Sequence, residues 1–139
     1  MAASAAIPAT LRRRVRLRAG DRCEYCRLPQ ANQEATFHVD HIVPRAANGD
    51  TAWDNLALAC VGCSLRKGAR EGALDPVSGE VTRLYHPRSD PWQEHFTAAS
   101  DGALSGNTPS GRATAVALNM NRPLAVLIRF EEIRFGRWP

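Results

Sequence analysis

The hydrophobic pattern of this chain changes period along its length, and each change predicts a different element. Leu11, Val15 and Ala19 recur at four-residue spacing, marking one face of a short helix over residues 7–19, with Gly20 as its stop. Residues 36–43 are instead rich in β-branched and aromatic side chains and run into Pro44, which predicts a strand. Asn48-Gly49-Asp50 follows as a turn, and residues 54–59 read as a short return strand or a turn. A helix begins at Ser64 and is interrupted by Gly68 and Gly72.

Turn residues then become denser. Pro76-Val77-Ser78-Gly79 separates two extended pieces, the second of which, residues 81–85, alternates like a half-buried strand. Pro87 and Pro91 lead into Trp92-Gln93-Glu94-His95-Phe96, and residues 101–106 form a loop or small hairpin. Thr108-Pro109 has the form of an N-cap followed by proline at the first helical position, opening a helix that runs to about Asn121. Pro123 opens a last helix with Leu124, Leu127, Ile128 and Phe130 as apolar positions. Three segments result: a basic N-terminal helix (1–20), a core (21–72) and a C-terminal extension packed on it (73–139).

Composition adds two constraints. The 139 residues suffice for one domain with a modest core, and because aromatics are only 6% that core must be mostly aliphatic, so a structural metal would help it. The net charge of +4 favours a polyanionic partner. Its excess is clustered, with Arg12, Arg13, Arg14, Arg16, Arg18 and Arg22 in one group and Arg66, Lys67 and Arg70 in another. No stretch approaches the roughly 18 apolar residues of a membrane span. Residues 1–6 lack the basic start and longer apolar run of a signal peptide. The expected location is cytoplasmic, where cysteines serve as metal ligands more readily than as disulfides.

Cysteine spacing brings in the chemistry. Cys23-Glu24-Tyr25-Cys26 and Cys60-Val61-Gly62-Cys63 are separated by 33 residues, and four thiolates in two such pairs suit a tetrahedral structural zinc. Between them lie Phe37-His38-Val39-Asp40-His41-Ile42-Val43-Pro44 and Trp53-Asp54-Asn55. Asp40, His41 and Asn55 are residue types that a metal-dependent phosphodiesterase needs. His38 shares the strand and faces either the site or the phosphate backbone, or simply packs.

In this order, residues 23–67 resemble the zinc-containing branch of the HNH nucleases, whose shared core is the ββα-metal motif. The matching pieces are the two knuckles, Val39-Asp40-His41-Ile42-Val43-Pro44-Arg45, Asp54-Asn55-Leu56 and Ser64-Leu65-Arg66-Lys67-Gly68. Arg83-Leu84-Tyr85-His86-Pro87-Arg88, Trp92-Gln93-Glu94-His95-Phe96 and the stretch from Thr108 to Thr114 also resemble the tail of a bacterial subgroup of small HNH proteins. The resemblance implies an α+β fold: a ββα-metal centre clamped by a four-cysteine zinc site, with an N-terminal helix and a helical C-terminal extension. It implies endonucleolytic hydrolysis of DNA, leaving 5′-phosphate and 3′-hydroxyl ends. Double-stranded DNA is the expected partner, cut by a monomer or a homodimer.

The same resemblance makes Asp40 a ligand of a catalytic divalent ion and His41 the general base, whose imidazole suits proton abstraction near neutrality. Asn55 ties the loop and holds the histidine in orientation. Arg66 and Lys67 reach substrate phosphate, the latter from the helix face it shares with Ser64. Ser64 itself departs from the pattern, because the family ordinarily places histidine or asparagine there as the second metal ligand. Serine binds the ion directly or through water, or Asp40 and the substrate suffice, or activity is impaired. An oxygen-only site favours Mg²⁺ or Mn²⁺. The competing expectation is a zinc-stabilised nucleic-acid-binding module that has lost catalysis.

Overall fold

A computed structural model describes residues 6–139. Residues 1–5, on which the expectation about a signal peptide and the opening of the 1–20 segment rest, lie outside it. The described chain runs α1 (Ala9–Arg18), β1 (His38–His41), β2 (Leu56–Ala59), α2 (Val61–Lys67), β3 (Gly72–Leu74), β4 (Val81–Arg83), α3 (Trp92–His95), β5 (Phe96–Ala98), β6 (Leu104–Gly106), α4 (Pro109–Ala117) and α5 (Pro123–Arg134). The six strands form three antiparallel pairs in chain order, β1 with β2, β3 with β4 and β5 with β6. This is the mixed α+β arrangement with a ββα centre that the sequence implied. Among the described residues no helix is long and apolar enough to cross a membrane.

Strands β1 and β2 pair with His38 opposite Ala59, Val39 opposite Leu58, Asp40 opposite Ala57 and His41 opposite Leu56. All four β2 residues are buried, and both α1 and α2 pack on the pair. The helix α1 turns Val15 fully inward, as its spacing predicts, and ends where Gly20 takes φ +64°. Its arginines divide. Arg16 donates to the Phe37 carbonyl at 2.8 Å, and Arg18 donates to the carbonyls of Trp53 and Leu56 at 2.7 and 2.6 Å. The Trp53 ring lies against the guanidinium groups of Arg14 and Arg18, at 4.6 and 3.8 Å. Half the basic cluster therefore braces the β-pair.

The predicted strand over residues 36–43 shortens to four residues because Asn55 captures its end. The Ile42 amide donates to the Asn55 carbonyl at 2.9 Å, and the Val43 amide to Asn55 Oδ1 at 2.8 Å. Asn55 Nδ2 in turn donates to the carbonyls of Val43 (3.0 Å) and Asp50 (2.8 Å). A Cβ on Gly49 would lie 1.8 Å from the Val43 carbonyl oxygen and 2.9 Å from Asn55 Nδ2, so the loop closes on Asn55 only with glycine there.

The tail covers the first cysteine knuckle. Trp92 Nε1 donates to the Tyr25 carbonyl at 2.8 Å and Trp138 Nε1 to the Cys26 carbonyl at 3.0 Å. Thr108 caps α4 by accepting from the Gly111 amide at 2.9 Å, as the Thr-Pro pair predicts. That helix stops at Ala117 rather than near Asn121, because Asn119 adopts the left-handed region at φ +45°. The last helix is rotated from the expected orientation. Ala125, Arg129 and Glu132 face inward, while Leu124, Leu127 and Phe130 are exposed. Arg129 sets this rotation: only 1% exposed, it donates to the carbonyls of Gly102 (2.6 Å) and Met120 (2.7 Å) and to Asn121 Oδ1 (3.3 Å).

Candidate active site

Two centres meet on the short helix α2. The first is the cysteine frame. Cys23, Cys26, Cys60 and Cys63 are all buried, and their sulfur atoms lie within 4.8 Å of one another. Cys26 Sγ and Cys60 Sγ are 3.8 Å apart. A tetrahedron with that edge has its centre about 2.3 Å from each corner, which is the zinc–sulfur distance. In each knuckle the second cysteine's amide points at the first one's sulfur, at 3.4 Å for Cys26 to Cys23 and 3.5 Å for Cys63 to Cys60. Burial pushes the Cys23 thiol up, whereas hydrogen bonding from neighbouring thiols draws Cys60 down. Four sulfurs so close can all ionise only when a dication neutralises them, and the donor set fits zinc.

Glu24 joins the frame to the β-pair. Its amide donates to the Leu58 carbonyl at 2.8 Å, and its carboxylate accepts from the Leu58 amide at 2.8 Å. The same carboxylate pairs with Arg88 from the tail. The knuckle thereby fixes the position of β2, and through the ladder that of β1.

The second centre is an open cleft of about 320 Å³ bordered by Asp40, His41, Arg45, Ser64 and Gly68. Alternation along β1 would send Asp40 and His41 to opposite faces. Both nevertheless border this cleft, since His41 is the last residue of the strand, just before the bonds to Asn55 bend the chain. His41 Nε2 lies 2.8 Å from Thr51 Oγ1, which also accepts from Arg45 Nη1 at 3.0 Å. Burial lowers the His41 pKa below its ordinary 6.5, the Arg45 charge lowers it further, and Asp40 opposes both.

Asn55 makes its side-chain bonds to loop backbone, and the direct bond to His41 comes from Thr51. Nothing in the sequence singles out Thr51. It is a polar residue ten positions beyond His41, and only the closed loop brings it to the imidazole.

On α2, Ser64 is 9% exposed and its Oγ lies 2.8 Å from His38 Nδ1. His38 and Asp40, two apart on the strand, share a face. The expectation that Lys67 reaches a phosphate needs correction. Lys67 does share the inner face of α2 with Ser64, but it is 3% exposed and its ammonium donates to the His41 carbonyl at 3.3 Å. Burial lowers its pKa, opposed by Asp40 and Glu71. It therefore lies under the strand, where it braces His41. Arg66 is exposed, anchored only by a 3.3 Å bond to the Gly62 carbonyl. Beside the cleft a groove bordered by Arg12, Arg16, His38 and Asp40 brings part of the N-terminal basic cluster to the same edge.

Residues 23–70 match the family model described as HNH endonuclease. No curated protein matches the chain. The matched segment spans both knuckles, the β-pair and α2, so that residues 23–70 are similar to the HNH endonuclease family and carry a four-cysteine cluster that fits zinc.

Proposed function

We propose that the protein is a metal-dependent endonuclease that hydrolyses DNA phosphodiester bonds. The observation that carries this reading is the convergence of Asp40, His41 and Ser64 on one open cleft. Asp40 and Ser64 present oxygen donors, a set that fits Mg²⁺ or Mn²⁺. Such an ion, when bound, supplies Lewis-acid charge to the phosphate and to the departing oxygen. His41 takes the proton of the attacking water, and its depressed pKa keeps it neutral and receptive at pH 7. Thr51 fixes the ring, Asn55 the loop and Lys67 the strand carbonyl behind the base. Arg12 in the neighbouring groove and the exposed Arg66 on α2 supply charge for the backbone of the nucleic acid, a mode of contact that positions the duplex without reading its bases.

A plasmid-nicking assay across Mg²⁺, Mn²⁺, Ni²⁺ and Zn²⁺ tests this. The expected result is nicking with Mg²⁺ or Mn²⁺ that falls about 10²–10⁴-fold in His41→Ala while zinc content and melting stay unchanged. Nicking that His41→Ala leaves intact would sink the assignment. Salt-sensitive DNA binding without nicking in any metal would replace it with a binding module, the outcome that Ser64 makes worth testing.

A further inference from the structure

The departure at Ser64 has a partner in the structure. A serine hydroxyl has one hydrogen and two lone pairs, and the hydrogen turns toward whichever acceptor is near. The neighbour is His38 Nδ1 at 2.8 Å, and among the described residues no other hydrogen bond to Ser64 Oγ competes with it. Two polarities are open to this pair. In one, the imidazole donates and the serine hydrogen swings into the cleft. In the other, the serine donates to the imidazole and both oxygen lone pairs are left for the cleft. A cation beside Asp40 repels a hydroxyl hydrogen and attracts lone pairs, so it selects the second arrangement. His38 is well placed to accept that hydrogen. It stands two residues before Asp40, on the same face of the strand, and its Nδ1 already lies at hydrogen-bond distance from the hydroxyl.

We propose that His38 is a positioning residue for the cation site, accepting the Ser64 hydroxyl hydrogen so that a short and otherwise indifferent serine becomes an oriented oxygen ligand. Strand and helix together thus do what a single longer side chain on α2 does elsewhere in the family. This rests on the cation site of the proposed function. It adds that His38 acts through Ser64, so the two residues count as one unit.

Mn²⁺ binding to the zinc-loaded protein, followed by electron paramagnetic resonance, tests it without recourse to turnover. His38→Ala and Ser64→Ala should each weaken Mn²⁺ affinity about tenfold, the usual scale for losing a partner that orients a metal ligand. The double variant should be no weaker than either single one. His38→Gln, which keeps an acceptor, should recover most of the loss. In Ser64→Asn, whose amide reaches the ion unaided, His38→Ala should change nothing. Additive losses, or a ¹⁴N coupling to Mn²⁺ that disappears in His38→Ala, would make His38 a direct ligand and overturn the proposal. Unchanged affinity in His38→Ala overturns it as well. Binding that survives Asp40→Ala places the ion elsewhere, and that result removes the underlying cation site along with this refinement.

Discussion

Cys63 and Ser64 are adjacent in the chain, yet they serve centres built on opposite rules. Cys63 is fully buried and looks into a closed set of four sulfurs, covered by the indoles of Trp92 and Trp138. Ser64 looks into a cleft open to solvent and bordered by only a few polar groups. One centre offers an ion four thiolate ligands with no position to spare, the signature of a structural site. The other, under the proposed function, would offer an ion few protein ligands and leave coordination positions for water and substrate, as exchange and turnover require. The short helix α2 carries a residue of each.

The contrast breaks most visibly if zinc is removed. Strong chelation, or Cys60→Ser, should abolish cooperative melting. The zinc contribution, on the order of 10 kcal/mol, equals or exceeds the ordinary stability of a small domain. Circular dichroism alongside zinc analysis would show it. A cooperative transition persisting in the zinc-free protein would mean that the frame is dispensable. Mild chelation should strip only the cleft ion and leave the melt untouched.

A smaller effect separates loop from frame. Asn55→Ala removes three side-chain bonds to the Val43 and Asp50 backbone, which should cost about 2–4 kcal/mol and activity as well, with zinc retained. Loss of zinc in this variant would show that the two centres are less separable than their geometry suggests.

The smallest effect concerns protonation. His41 must be neutral to accept a proton, so the rate should rise with pH through a pKa below 6.5. Burial and the Arg45 charge both depress that pKa, so removing the charge raises it. Arg45→Ala should therefore move the acid limb of the pH–rate profile to higher pH. An unmoved limb would detach His41 from the step being measured.

The frame was legible in the sequence because its signals are local: cysteine pairs three positions apart, Gly20 after a helix, Thr108-Pro109 and Pro123 before others. Pro44 and the Asn-Gly-Asp turn marked the end of β1, while residues 54–59 read as strand or turn and the ββα order came from the family resemblance. Residues whose role depends on a distant partner could not be read in the same way. Lys67 was expected to reach a phosphate because nothing local reports that the His41 carbonyl lies over it. The apolar positions of α5 gave no sign that carbonyls from Gly102 and Met120 pull Arg129 inward and leave Leu124 and Leu127 outside. His38 and Ser64 are 26 positions apart, and only the packing of α2 on β1 makes them a pair.

The contact between the Trp138 indole and the Cys26 carbonyl bears on how the molecule is made. All four sulfur ligands have been synthesised once residue 63 is added, so metal capture can precede release from the ribosome. At about 5–20 residues per second, Trp138 follows Cys63 by roughly 4–15 s. During that interval the thiolates lack one of the indoles that later cover them, open both to loading and to oxidation. Maturation would then have two stages, capture followed by sealing, and the second would decide how long a given zinc ion stays.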